Sequence, residues 1–215
     1  LVDLNRFEKA EEEYRKAIEI NPKYAEAHNN LGLLLHEKFK TYEEAEEEYK
    51  KAIDANPKFA LAHNNLGNLL YNLKRYEEAE REYKEAIRIN PELAMAHYNL
   101  GVLYECNDEG VRYGKGFRID AAVNEYKKAI RINPEYAEAH YNLGFLYEYN
   151  EGGIRHGKGF RINDAMREYR EAIRINPELA EAHYNLVLLF LEIRKIKEAK
   201  QELEIALKLY KKQGK

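Results

Sequence analysis

Residues 60 to 91 read ALAHNNLGNLLYNLKRYEEAEREYKEAIRINP, and this stretch decides the fold. In its first half Ala62, Leu66, Leu69, Leu70 and Leu73 recur at steps of three and four, which stacks their side chains on one face of an α-helix. Tyr76, Ala79, Tyr83, Ala86 and Ile87 do the same in the second half. Asn72-Leu73-Lys74-Arg75 between them is short enough only for a tight turn, so the two helices fold back as an antiparallel hairpin. Gly67 stands mid-helix, where glycine costs about 1 kcal/mol relative to alanine. Close approach of the partner helix at the small Ala79 is the expected reason. Asn90-Pro91 stops the second helix, because a residue before proline is pushed out of the helical region.

The chain copies this unit. Asn-Pro recurs at Asn21-Pro22, Asn56-Pro57, Asn90-Pro91, Asn133-Pro134 and Asn176-Pro177. Each is followed by a variant of one run: AEAHNNLG from Ala25, ALAHNNLG from Ala60, AMAHYNLG from Ala94, AEAHYNLG from Ala137 and AEAHYNLV from Ala180. A two-helix repeat near 34 residues, with Leu66, Gly67, Tyr71, Ala79, Tyr83, Ala86 and Pro91 at these positions, resembles the tetratricopeptide repeat (TPR). The resemblance covers essentially the whole chain. One departure is that His28, His63, His97, His140 and His183 stand where the family usually has tryptophan.

The resemblance implies an all-α, right-handed solenoid of antiparallel helix-turn-helix repeats. Residues 1–24 are a partial leading repeat containing only a second helix, followed by repeats at 25–59 and 60–93. Those at 94–136 and 137–179 carry extended inter-helix loops, and 180–215 is a terminal repeat with a tail. Leu1-Val2-Asp3-Leu4-Asn5-Arg6-Phe7 aligns with Leu70 to Tyr76, so the chain is expected to begin inside a repeat, as a fragment of a longer array would. The face carrying Phe7, Ala10, Tyr14 and Ala17 is then open to further sequence, to another copy, or to its own end.

The extended repeats gain about nine residues each: the intervals from Asn99 to Asn142 and from Asn142 to Asn185 are 43 residues. Both insertions contain Gly-x-Arg-x-Gly-Lys-Gly-Phe-Arg-Ile. They present the basic triplets Arg112, Lys115, Arg118 and Arg155, Lys158, Arg161, a second candidate site that together could grip an anionic group. They are not nucleotide-binding P-loops, which need four residues between the glycines and Ser or Thr after the lysine.

Composition narrows the function. A formal charge of −3, with 34% charged residues of both signs, describes a solvated surface and argues against nucleic acid as partner. A single cysteine, Cys106, excludes an internal disulfide framework and suits a reducing, cytoplasmic setting. No apolar run reaches the length of a membrane span. Abundant Glu, Lys, Arg, Ile and Tyr with scarce glutamine point to a thermophile source. The histidines recur once per repeat without a second ligand nearby, so no metal, other cofactor or catalytic group is expected, and packing against neighbouring helices accounts for them.

What remains is the concave groove that the first helices would form, where the resemblance implies binding of an extended peptide. Asn30, Asn65, Asn99, Asn142 and Asn185 recur in it, and a side-chain amide can pair with both N–H and C=O of a peptide backbone. Helices about 8–10 Å apart and an extended chain rising about 3.3 Å per residue give roughly three ligand residues per repeat. Tyr71, Tyr98, Tyr141, Tyr184 and Phe145, with Leu61 and Met95, supply apolar pockets. Glu26, Glu105, Glu138, Glu148, Glu181 and Glu192 supply negative charge. Family members that clamp the acidic tail of heat-shock chaperones need Lys and Arg there, so that ligand is not expected. The reading is a non-enzymatic protein-interaction scaffold for apolar, neutral or basic segments, with self-association or anion binding by the two loops as alternatives.

Overall fold

The computed structural model describes residues 2–106, 118–149 and 160–214; the side chains of residues 2–5 lie outside the description. The described residues form α-helices with no strand. In chain order they are α1 (Val2–Ile20), α2 (Ala25–Leu34), α3 (Tyr42–Ala55), α4 (Ala60–Asn72), α5 (Tyr76–Ile89) and α6 (Ala94–Tyr104), then α7 (Ile119–Ile132), α8 (Ala137–Leu146), α9 (Ile162–Ile175), α10 (Ala180–Glu192) and α11 (Ile196–Lys212). They fall into two compact units, one reaching to Leu103 and the other resuming at Tyr104.

The second helices α1, α3, α5, α7 and α9 end where the sequence places an Asn-Pro stop. α5 ends at Ile89, and Asn90 takes an extended conformation before Pro91. The asparagine does more than precede a proline. Its Oδ1 accepts a hydrogen bond from the N–H two residues on, at 3.1 Å for Asn56–Lys58 and Asn90–Glu92, which is an Asx turn. The same bond forms at Asn21, Asn133 and Asn176.

The hairpins close by one repeated backbone bond: Thr41 N–H to Leu35 O, Arg75 to Leu70, Arg118 to Tyr104, Arg161 to Tyr147 and Lys195 to Phe190, all 2.8–3.1 Å. The connections differ in length, yet the closure is kept. In the first hairpin the single extra residue is absorbed as a π-helical turn over Leu35–Phe39, ended by Lys40 in the left-handed region.

Packing inside each hairpin corrects one expectation. A Cβ on Gly67 would lie 2.6 Å from the ring of Tyr83, so the close partner is the tyrosine one turn beyond Ala79. Gly32 meets Tyr49 at 2.9 Å and Gly144 meets Tyr169 at 3.0 Å. These rings are fully or nearly fully buried and form the centre of each repeat, together with Ala45, Ala79, Ala122 and Ala165. In the last hairpin both partners change: Val187 replaces the glycine and Leu203 the tyrosine, which trades bulk from one helix to the other.

Candidate functional site

The repeated histidines are buried, as packing predicts, but each is also wired. His28, His63, His140 and His183 place Nδ1 2.6–2.8 Å from Glu48, Glu82, Glu168 and Glu202 on the paired second helix. Nε2 of His28, His97, His140 and His183 lies 3.1–3.2 Å from the carbonyl oxygen of the preceding proline. An imidazole between a carbonyl and a carboxylate can donate to both only when protonated. Sequence reading missed the partner, although a glutamate recurs at that position of every second helix. At His63 and His140, burial acts to lower the pKa, but the glutamate hydrogen bond and charge outweigh it and raise it overall.

The asparagines divide into two arrangements. In the first unit they bond to one another across helices. Asn99 Nδ2 donates to Asn64 Oδ1 at 2.9 Å, Asn64 to Asn65 at 3.4 Å, Asn65 to Asn29 at 3.0 Å and Asn29 to Asn30 at 3.3 Å. This one-way relay of amides ties the successive first helices α6, α4 and α2 together. Asn30 is exposed, Asn65 and Asn99 are half-buried. The Asn-Asn doublets in AEAHNNLG and ALAHNNLG were the available signal for it.

In the second unit tyrosine replaces the first asparagine of the doublet, and the remaining one turns inward. Asn142 and Asn185 are only 6% exposed. Asn142 Nδ2 donates to the Tyr126 hydroxyl at 3.2 Å, and that hydroxyl donates to Glu105 Oε1 at 2.6 Å. Asn185 donates to Tyr169 at 3.1 Å, which in turn donates to the carboxylate of Glu148. Asn142 and Asn185 therefore do not line an open groove as expected, because their amides belong to a buried network. Glu105 and Glu148 are likewise fully buried, and the negative charge expected from them is withdrawn from the surface. A buried carboxylate needs donors, and the tyrosine hydroxyls supply them.

The other groove residues lie at or near the surface of the first helices. Leu61 and Met95 are 40% and 41% exposed and Tyr184 is 43% exposed, while Tyr71, Tyr98, Tyr141 and Phe145 are half-buried. Tyr71 stacks edge-on against Tyr76 at 5.7 Å, and Phe145 lies 5.7 Å from Tyr149. Glu26, Glu138 and Glu192 remain exposed, with Glu181 partly so.

Of the basic triplets, Arg112, Lys115, Arg155 and Lys158 lie outside the described residues. Arg118 and Arg161 are described, and each lays its guanidinium 4.0 Å from a ring centroid, Tyr104 and Tyr147 respectively. Arg161 also pairs with Asp164 at 2.7 Å. Among the described residues no group of three metal-binding side chains forms, and no helix is long and apolar enough to cross a membrane.

Comparison with known proteins agrees with this architecture. The family model for the TPR repeat matches residues 1–38, 40–74, 67–107, 118–150 and 161–193. The chain belongs to the tetratricopeptide repeat family, and its fold is an all-α repeat solenoid. No curated protein sequence matches it. Among solved structures it is similar to PilF of Pseudomonas aeruginosa, with TM-score 0.77 and 23% identity over 98% of this chain and 86% of that one. It is also similar to YrrB, a TPR protein described as having an unusual peptide-binding site, with TM-score 0.64 and 22% identity over 91% of both chains. MamA of Desulfovibrio magneticus RS-1 aligns with TM-score 0.66 and 18% identity over 89% of this chain and 97% of that one.

Proposed function

We propose that this protein is a non-enzymatic interaction scaffold that holds an extended segment of a partner protein on the face of its first helices. The observation that carries this reading is the exposure of large apolar side chains at repeated positions of those helices. In the first unit Leu61 and Met95 are exposed at one shared position, and in the second unit Tyr184 is exposed, while Tyr98 and Tyr141 at the equivalent of Tyr184 are half-buried. Water-exposed apolar groups on the first helices of a unit are anchor points for alternate ligand side chains. Glu26, Glu138 and Glu181 stand at the position of Leu61 and Met95, which favours ligands of neutral or basic character. The likeness to YrrB supports a peptide ligand at the level of the fold.

The polar part of the site is narrower than five equivalent asparagines. Asn30, Asn65 and Asn99 keep exposed or half-buried amides that could meet a ligand backbone. A screen of extended peptides against the intact chain tests the reading. Apolar or basic peptides should bind with micromolar affinity, since ordering a flexible ligand offsets much of the contact energy. Leu61→Glu/Met95→Glu and Tyr184→Ala should each weaken the selected peptides at least about fivefold, corresponding to roughly 1 kcal/mol, with unchanged circular dichroism. Absence of selection, or equal binding by both variants, would refute the proposal.

A further inference from the structure

The first helices differ from one another at two positions a turn apart. α2 carries Glu26 and Asn29 there, α4 Leu61 and Asn64, and α6 Met95 and Tyr98. Of the five, only α8 and α10 pair a glutamate with a tyrosine, as Glu138 with Tyr141 and Glu181 with Tyr184. A spacing of three residues sets both side chains on one face of the helix. Neither α8 nor α10 contains a lysine or an arginine, so the charge these two helices present is negative only.

Glu181 stands where the two helices meet. Asn185 Nδ2 of α10 lies 3.5 Å from the Tyr141 hydroxyl oxygen and 3.1 Å from that of Tyr169, which holds Tyr141 of α8 beside α10. The Tyr141 ring packs 5.7 Å from the Tyr169 ring and stays half-buried. Burial raises the pKa of the Tyr141 hydroxyl; the Asn185 amide works against it, and the charges of Glu181 and Glu148 add to the rise. The Glu181 charge is thus felt at Tyr141 from across the junction. One turn along its own helix comes Tyr184, 43% exposed. Glu181 therefore has a tyrosine on α8 and another on α10. Glu138, exposed and without an ion pair among the described residues, adds a second negative charge.

A carboxylate set between phenol rings selects for one side chain. A planar guanidinium can lie on a ring while its N–H groups meet the carboxylate, whereas the compact, strongly hydrated ammonium of lysine matches chiefly the charge. The second unit already holds an arginine in this way. Arg161 lays its guanidinium 4.0 Å from the Tyr147 ring centroid and pairs with Asp164 at 2.7 Å. Resting on the reading that an extended segment lies along the first helices, we propose that Tyr141, Glu181 and Tyr184 form a site for an arginine side chain of that segment, with Glu138 steering it by charge.

The probe is a set of extended, capped apolar peptides, identical except for one central residue: arginine, lysine, leucine or citrulline, the uncharged isostere of arginine. Fluorescence anisotropy with the intact chain should find arginine peptides bound about tenfold tighter than their citrulline counterparts and about threefold tighter than the lysine ones. Glu181→Gln should bring arginine and citrulline within about twofold of each other. Tyr184→Leu keeps the charge and should erase the margin of arginine over lysine. Glu204→Gln removes an equal charge from α11 and should leave both margins intact. Binding that ignores the central residue, or margins that survive Glu181→Gln, would overturn the arginine site and leave the extended-segment reading standing. Margins lost equally in Glu204→Gln would overturn it in favour of net charge. Binding of none of the peptides at millimolar concentration would overturn the site together with the reading on which it rests.

Discussion

Tyr49, Tyr83, Tyr126 and Tyr169 fill one position of the repeat, yet their hydroxyls meet different surroundings. Among the described residues the buried Tyr49 hydroxyl has no hydrogen-bond partner. That of Tyr83 donates to Asn68 at 2.8 Å, while those of Tyr126 and Tyr169 stand between an asparagine amide and a buried glutamate. Removing a hydroxyl costs little where nothing depends on it and about 1–3 kcal/mol where it strands a buried group. Urea denaturation should therefore find Tyr49→Phe neutral or slightly stabilising, and Tyr126→Phe and Tyr169→Phe destabilising by that amount. Equal losses at all three positions would show that the network carries no net stability. The tyrosine positions were legible in the sequence as core. Their division was not, because it depends on Glu105 and Glu148 at the ends of two first helices, where residue type alone suggested surface charge.

At the scale of the hairpin, the histidine–glutamate contact links first helix to second close to the Asn-Pro turn. His140 faces Glu168 at 2.8 Å, the Pro134 carbonyl at 3.2 Å and the more distant charge of Glu171, while Arg167 holds the other oxygen of Glu168 at 3.1 Å. Burial opposes ionisation of Glu168, but His140 and Arg167 outweigh it and lower its pKa overall. Because the folded His140 pKa is raised, its contribution is fully present below the ordinary imidazole value of 6.5 and is lost as pH climbs through the folded value. Because the folded Glu168 pKa is lowered, its contribution is present above the ordinary value of 4.5 and is lost as pH falls through the folded one. The stability gap between the native chain and His140→Ala should accordingly be wider at pH 6 than at pH 9 in thermal melts. A gap independent of pH would mean that the imidazole acts by packing alone. The helices themselves, their stops and their pairing were readable from apolar spacing and Asn-Pro. The pairing of histidine with glutamate was hidden because about twenty residues, or 28 across the long loop of His140–Glu168, separate the partners.

For the molecule as a whole, the strongest helix contacts within each unit among the described residues are between neighbours in sequence, including α1 with α2 and α3 with α4 in the first unit, α7 with α8 and α9 with α10 in the second. Stability in such an array is a sum of repeat and interface terms, and helices with one side unsupported open first. α1 keeps Ala10 and Ala17 partly exposed, and α11 leaves Ile196, Leu203 and Leu207 exposed at 51%, 37% and 52%. Native-state hydrogen exchange should find α1 less protected than α3 and α4, and α11 less protected than α8 and α9. Uniform protection throughout would instead indicate a single cooperative block.

The sequence by itself determined the repeat, its helices, their boundaries and their antiparallel pairing. All of these follow from local periodicity and from turn chemistry written within a few residues. Only the tertiary structure decided which polar side chains face a ligand and which face each other. One asparagine position became an inter-helix relay in the first unit and a buried link to tyrosine and glutamate in the second. The physical reason is that a buried amide or carboxylate must find its partner inside the protein. Here the partner lies on a neighbouring helix, whose distance in space is not given by its distance along the chain.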